Sequence, residues 1–168
     1  FKTYYPYTYG GVENVIKSIC AHSSRQDIYS EILLCGPEDK VYSYEGVKVT
    51  ALRSAFKISN NPISLRFIKN FIYISAHFNV IHFHYPFIMN ELLSCFQQKI
   101  KTPYIITYHS DVIRKGIVQS LYMRFSNRFL KRAKFVIFTS KNYSEISYTK
   151  NMDITREIIP LTVSSEKQ

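Results

Sequence analysis

Residues 80–140 read VIHFHYPFIMNELLSCFQQKIKTPYIITYHSDVIRKGIVQSLYMRFSNRFLKRAKFVIFTS, and this stretch decides the fold. Three short apolar runs punctuate it: Val80 to His84, Tyr104 to Tyr108 and Phe135 to Thr139. The segments between them, Ile88 to Gln98 and Gly116 to Ala133, are long enough for helices. Apolar runs that are continuous rather than alternating mark strands buried on both faces, and strand–helix–strand succession is what a parallel sheet requires.

The same alternation extends outward. Phe1 to Tyr5 reads as the end of a strand, followed by a turn from Pro6 to Gly11. Val12, Val15, Ile16, Ile19 and Cys20 then recur at amphipathic helical spacing. Ile28 to Cys35 is a buried strand stopped by Gly36-Pro37, and Val47 to Leu52 is another, after a polar hairpin-like segment. The pattern predicts a helix from Pro62 to His77, with Pro62 in its first turn. Ser140 to Lys150 reads as a helix with Asn142 and Glu145 as a capping pair, and Ile154 to Pro160 as a last strand. The expected fold is one Rossmann-like, doubly wound α/β domain: a mostly parallel sheet with helices on both faces.

At 168 residues the chain suits a single domain with one sizeable core. Cys20, Cys35 and Cys95 are odd in number and each lies in apolar text, which predicts buried, reduced thiols in a cytoplasmic protein rather than disulfides or a zinc site. The most hydrophobic stretch, Phe67 to Met89, is broken by Lys69, Asn70, His77, Asn79, His82 and His84, so no run reaches membrane-span length. No signal peptide is visible, and a start at Phe1 rather than Met leaves the true beginning open.

The formal net charge of +10 favours an anionic partner. Most of the excess falls between Val112 and Ser144, which holds no Asp or Glu but contains Arg114, Lys115, Arg124, Arg128, Lys131, Arg132, Lys134 and Lys141.

In a doubly wound sheet, ligands bind at the carboxyl ends of the strands. Three of those loops carry unusual residues. Pro6 to Gly11 runs into a helix, where glycines admit a ligand to the backbone and free N–H groups face an anion; a plain tight turn explains it equally well. His82 and His84 share one side of their strand and could join in binding a metal, but no third ligand stands at suggestive spacing. His84, nearer the loop, is the better functional candidate. The third loop, Thr107-Tyr108-His109-Ser110-Asp111-Val112-Ile113-Arg114-Lys115, ends a strand on His-Ser-Asp with two cations close behind. Adjacent residues on one strand cannot form a hydrolase triad, yet they offer polar groups to a sugar or phosphate; capping a helix is the plainer alternative.

Taken in order, Tyr5-Pro6 through Gly10-Gly11-Val12-Glu13, Val80 through His84-Tyr85-Pro86, Thr107 through Asp111, and Ile158-Ile159-Pro160-Leu161 resemble the amino-terminal domain of glycosyltransferase family 4. The resemblance covers nearly the whole chain. It implies one half of a GT-B fold, in a retaining, metal-independent enzyme that moves a hexosyl group from a UDP- or GDP-linked sugar to an acceptor. That acceptor would be a lipid-linked glycan or a polysaccharide or lipopolysaccharide precursor. No cofactor is implied, since the nucleotide-sugar is a substrate. By resemblance, Gly10 and Gly11 pack against the donor, and His109 is the active-site histidine beside the transferred sugar. His84, Tyr85, Ser110, Asp111 and Arg114 would line the cleft on the acceptor side. The resemblance places the amino-terminal domain at 1–161 and the start of an interdomain linker at 162–168. The donor-binding carboxyl-terminal domain would lie outside this sequence, leaving it incomplete for catalysis alone. Thr162 stands where the family's junction carries glycine.

Along the expected helix from Gly116 to Ala133, Val118, Leu121, Tyr122, Phe125 and Phe129 form an apolar stripe, and Arg124, Arg128 and Lys131 a basic one. The basic stripe is either a solvated face or a contact for acidic lipid headgroups. Many relatives use lipid-linked acceptors on the cytoplasmic leaflet, so a cytoplasmic protein, peripheral at the inner face of the membrane, is expected. Two rival readings are a basic nucleic-acid-binding domain and a non-catalytic domain that docks a partner. No helix-turn-helix, RNP-like, KH or zinc signature supports the first. A hydride-transfer domain is disfavoured, because GxGxxG is missing.

Overall fold

The computed structural model describes residues 2–58, 61–112 and 117–161, without the side chains of 97 and 117–119. In chain order the elements are α1 (Gly11–Ser24), β1 (Glu31–Gly36), β2 (Lys40–Tyr44), β3 (Val47–Arg53), β4 (Phe56–Ile58), β5 (Asn61–Ile63) and α2 (Leu65–Ser75). There follow β6 (Ile81–Tyr85), α3 (Ile88–Leu93) running into a 3-10 turn at Ser94–Lys99, and β7 (Tyr104–Tyr108). The remainder comprises α4 (Ile117–Lys131), β8 (Val136–Phe138), α5 (Lys141–Ile146) and β9 (Arg156–Ile158).

Strands β6, β7, β8 and β9 pair in parallel in that order, and β1 pairs in parallel with β3. Antiparallel pairing is confined to β2 on the outer side of β3 and to the small β4–β5 hairpin. Alternation along β1 shows why helices cover both faces. Ile32 and Leu34 pack with Ile16 and Cys20 of α1, whereas Cys35 joins Phe67 and Phe71 of α2. The second of these clusters also takes in Leu52, Phe83, Tyr85, Ile106, Tyr108 and Phe138. It thereby ties the β1–β3 layer to the four-stranded layer, with the late residues of several strands at one level. The expected doubly wound α/β architecture is the one formed.

Several local expectations are corrected. Residues 2–4 form no strand and Tyr5 begins a turn, held by Tyr7 N–H donating to the Tyr4 carbonyl at 2.9 Å. The aromatic run there reflects ring packing rather than sheet pairing: Tyr5 stacks on Tyr44 with centroids 4.8 Å apart. Pro62 sits in β5 opposite Lys57, a short edge strand that tolerates its missing N–H. The helix starts later, because the Ser64 hydroxyl accepts the Phe67 N–H and caps it. Likewise Ser140, not Asn142, caps α5, accepting the Tyr143 N–H at 3.1 Å. Cys95 is exposed, unlike Cys20 and Cys35. Phe1 and residues 162–168, where the start of a linker is expected, lie outside the described residues.

Helix α4 also turns its inner face differently from the expected stripe. Tyr122, Ser126, Phe129 and Leu130 are buried, while Leu121 is 59% exposed; the side chain of Val118 lies outside the described residues. Phe129 stacks on Tyr104 at 5.4 Å and meets the edge of Phe83 at 5.0 Å. Substituting Phe129→Ala should therefore destabilise the chain by about 3–5 kcal/mol. Leu121→Ala should stay within about 0.5 kcal/mol. Urea unfolding midpoints of the two variants check this assignment of the buried face.

Candidate functional site

Register across the β6–β7 pair assembles the site. His84 lies opposite Thr107 and Tyr85 opposite Tyr108. Because side chains alternate, His82 and His84 project to one face of β6, and Thr107 and His109 to the same face of β7. The ladder continues one residue past β7, with the His109 N–H donating to the Tyr85 carbonyl at 3.0 Å. The backbone of His109 is thus anchored even though its strand has ended.

The rings of this face form a column. His82 stacks on His84 with centroids 4.6 Å apart and an interplanar angle of 23°, and the His109 ring lies edge to edge with His84, centroids 5.2 Å apart and planes 18° apart. His84 Nδ1 and His109 Nε2 are 2.9 Å apart and share a hydrogen bond, and His82 Nε2 pairs with the Thr107 hydroxyl at 2.7 Å. His84 is 5% exposed, whereas His109 is half-buried above it. Burial disfavours the imidazolium form in each ring. It pushes His82 and His109 down to about 4 and holds His84 well below its ordinary value. The repulsion that a charged His109 would exert adds to the shift of His82 and His84. At neutral pH all three rings are uncharged, so the column exchanges hydrogen bonds rather than charge.

Two of the expected cleft residues are placed differently. Tyr85 points to the opposite face and is 1% exposed; its hydroxyl accepts from Ser126 Oγ at 2.9 Å beneath α4. Alternation accounts for this, since residues adjacent on a strand cannot both face one cleft. His84 underlies His109 instead of reaching the open rim. Asp111 is half-buried and accepts the Tyr108 hydroxyl at 2.5 Å, which fixes the start of the loop, while Ser110 is exposed. Arg114 lies outside the described residues. Among the described residues no three His, Cys, Asp or Glu side chains are grouped to hold a metal ion.

Gly10 and Gly11 open α1. Helix α1 packs on β1 and returns directly into it, which sets its amino end at the carboxyl end of β1. No side chain caps this helix, and a Cβ on Gly11 would meet nothing within 4 Å, so the backbone there is open to a ligand. At Gly10 a Cβ would come within 2.6 Å of Glu13 Oε2. Glu13 is buried in the first turn and accepts from the Thr3 hydroxyl at 3.1 Å. Its carboxylate already meets part of the positive helix end, which sequence reading did not foresee.

Sequence reading also missed Thr107 as a partner of His82 and the buried polar group under α4. There the Tyr122 hydroxyl donates to Glu91 Oε1 at 2.9 Å, and Ser126 Oγ pairs with the Tyr148 hydroxyl at 2.8 Å. The first was accessible to register arithmetic. The second joins residues far apart in sequence and left no local signal. On the outer side of α4, Arg124, Arg128 and Lys131 are all exposed.

The buried column sets a pH dependence. Each of the three histidines has a folded value below 6.5, so the unfolded chain binds protons first as the solution is acidified. The stability they contribute is complete above about pH 6.5 and falls as pH drops toward 4. The slope should be up to about 1.4 kcal/mol per pH unit for each ring. Urea unfolding from pH 7 to 4 should show this decline, and His82→Gln should make it shallower.

The profile of Glycosyltransferase Family 4 matches residues 9–160. The chain is 30% identical over 151 residues to O-antigen chain mannosyltransferase C of Escherichia coli, covering 89% of this chain and 40% of that protein. It is 30% identical over 149 residues to the D-rhamnosyltransferase WbpZ of Pseudomonas aeruginosa, covering 88% of this chain and 39% of that one. The chain thus spans about two fifths of the length of these relatives. Among solved structures, sucrose-phosphate synthase from Thermosynechococcus elongatus superposes with a TM-score of 0.63 at 14% identity, over 92% of this chain and 87% of that one. That likeness concerns the fold. Among the described residues no helix is long and apolar enough to cross a membrane.

Proposed function

Because the chain belongs to Glycosyltransferase Family 4, we propose that residues 1–161 are the acceptor-side, amino-terminal half of a retaining, metal-independent enzyme that transfers a hexosyl group from a UDP- or GDP-linked sugar. The observation that carries this reading is His109. It stands at the carboxyl end of a central parallel strand, anchored through its backbone to β6 and through its ring to His84. In open α/β sheets that is where ligands bind.

The chemistry fits such a group. Sugar transfer passes through an oxocarbenium-like state with a nucleoside diphosphate departing, so it gains most from fixed dipoles around the developing charges. A neutral, oriented imidazole supplies one without adding a cation beside the positive sugar. The open backbone at Gly11 is suited to the donor. Exposed Ser110 and half-buried Asp111, with Arg114 beyond, supply polar groups for an acceptor hydroxyl. The remaining donor contacts would come from the part of the complete protein that corresponds to the rest of its relatives' length, joined through a linker beginning at 162–168.

The relatives' names, mannosyl transfer in an O-antigen chain and D-rhamnosyl transfer, support a polysaccharide or lipopolysaccharide precursor as acceptor. A lipid-linked acceptor would place the enzyme in the cytoplasm at the inner membrane face, and the exposed Arg124 and Lys131 side chains on the outer side of α4 support a contact with acidic headgroups.

In the complete protein, His109→Ala should lower kcat for sugar transfer by about 10²–10³-fold; unchanged turnover would overturn the assignment. Co-sedimentation with vesicles rich in phosphatidylglycerol should weaken about fivefold for each of Arg124→Gln and Lys131→Gln. Binding to DNA or RNA but not to such vesicles would favour the nucleic-acid reading instead.

A further inference from the structure

His84 presents a contradiction for a residue expected to line a cleft. It is 5% exposed, lies between two other imidazoles, and spends Nδ1 on His109. A group placed this way cannot reach substrate, but it can govern the group above it. We propose that His84 is a positioning residue whose Nδ1 bond to His109 Nε2 holds the His109 ring in one orientation and one neutral tautomer. This rests on the reading of His109 as the group that faces the sugar.

Two neutral imidazoles that share one hydrogen bond must place a single proton between the facing nitrogens. If His84 carries it on Nδ1, then His109 Nε2 is bare and its own proton sits on Nδ1. If His109 carries it on Nε2, then His109 Nδ1 is bare and accepts. In either case the state of His109 Nδ1 is opposite to that of Nε2, so whichever arrangement the surroundings of His84 favour sets Nδ1 as a donor or as an acceptor. Burial reinforces the coupling by keeping both rings neutral at physiological pH. A free imidazole in water populates both tautomers, so a lone histidine at this strand end would lack that definition.

The lower ring is itself fixed on several sides. His82 stacks beneath His84 while its Nε2 pairs with Thr107, so it cannot tilt away. Asn90 donates to the His84 carbonyl at 3.3 Å and ties the end of β6 to the start of α3. A ring held from below and bonded above resembles the outer groups that orient metal-bound histidines, with a sugar-facing nitrogen in place of the metal-bound one.

Long-range ¹H–¹⁵N correlation spectra of the histidine rings in this chain test the proposal without reference to activity. The expected result is a complementary pair, with one of His84 Nδ1 and His109 Nε2 protonated and the other bare, and no averaging at His109. In His84→Leu the His109 signals should move to the averaged position of a tautomer mixture. In His84→Asn, whose side chain keeps a hydrogen-bonding atom near the Nδ1 position, a single tautomer should return. An averaged His109 in the unaltered chain, or one unaffected by both substitutions, would overturn the proposal. The spectrum of the unaltered chain and of the Asn variant decides the matter even if the Leu variant does not fold. In the complete enzyme, His84→Leu should lower kcat about tenfold with KM changed less than twofold, and His84→Asn should recover most of it. A complementary pair in an enzyme indifferent to His109→Ala would sink the proposed function and leave the pairing intact.

Discussion

Parallel pairing of β6 with β7 aligns His84 with Thr107 and Tyr85 with Tyr108, and a shift of one residue would reverse the face of every side chain on β7. Such a shift would put Thr107 and His109 among the aromatics and move Ile106 and Tyr108 to the histidine face. Both latter side chains are fully buried, so the register is held by their burial. The histidine column is therefore specified indirectly. Tyr85 stacked on Tyr108 at 4.7 Å, with Phe138 next to it, locks one face, and the opposite face follows.

Tyrosine has a double part in that locked face. Tyr85, Tyr122 and Tyr148 bring large rings to the core and carry their hydroxyls to a shared polar centre with Ser126 and Glu91. Burial pushes the pKa of Tyr85, Tyr122 and Tyr148 above its ordinary value, so the hydroxyls remain neutral. A buried polar network of this kind specifies geometry more than it adds stability, because each hydroxyl constrains where its neighbours can sit. Here it fixes how α4 lies on the strand that carries His84 and Tyr85. Any rotation of α4 would break bonds at Ser126 and Tyr122 together.

How much of this could be read from the sequence depends on the range of the interaction. Tyr104 to Tyr108 was legible to the residue, because a buried central strand between polar turns leaves an apolar run of its own length. Pro62 misled, because a proline before an amphipathic run suits a first helical turn as well as an edge hairpin, and only the pairing with Lys57 separates the two. The capping role of Ser64 was hidden by the same assignment. Of the site, the prominence of His84 and His109 was visible as polar residues where apolar strands end. That they bond to each other was not, since it depends on register across 25 residues. The apolar stripe on α4 includes the exposed Leu121 and omits the buried Ser126 and Leu130, because a helix with aromatics on several sides does not declare its inner face.

The column shows what the fold gives up for its site. Three imidazoles are kept uncharged at the edge of a protein whose formal charge is +10, and each loses part of its hydration to do so. Apolar side chains at 82 and 84 would pack the same space without that loss. Their burial makes physical sense if a neutral and oriented nitrogen at His109 is what the strand end must present. On the proposed reading of His109 as the group that faces the sugar, a charged imidazole there would repel a positive sugar, and a freely turning one would offer it no fixed dipole. Stacking and hydrogen bonding below His109 remove both defects at once. If His109 has that role, the stability that acidification should remove is the physical consequence of holding its nitrogen neutral.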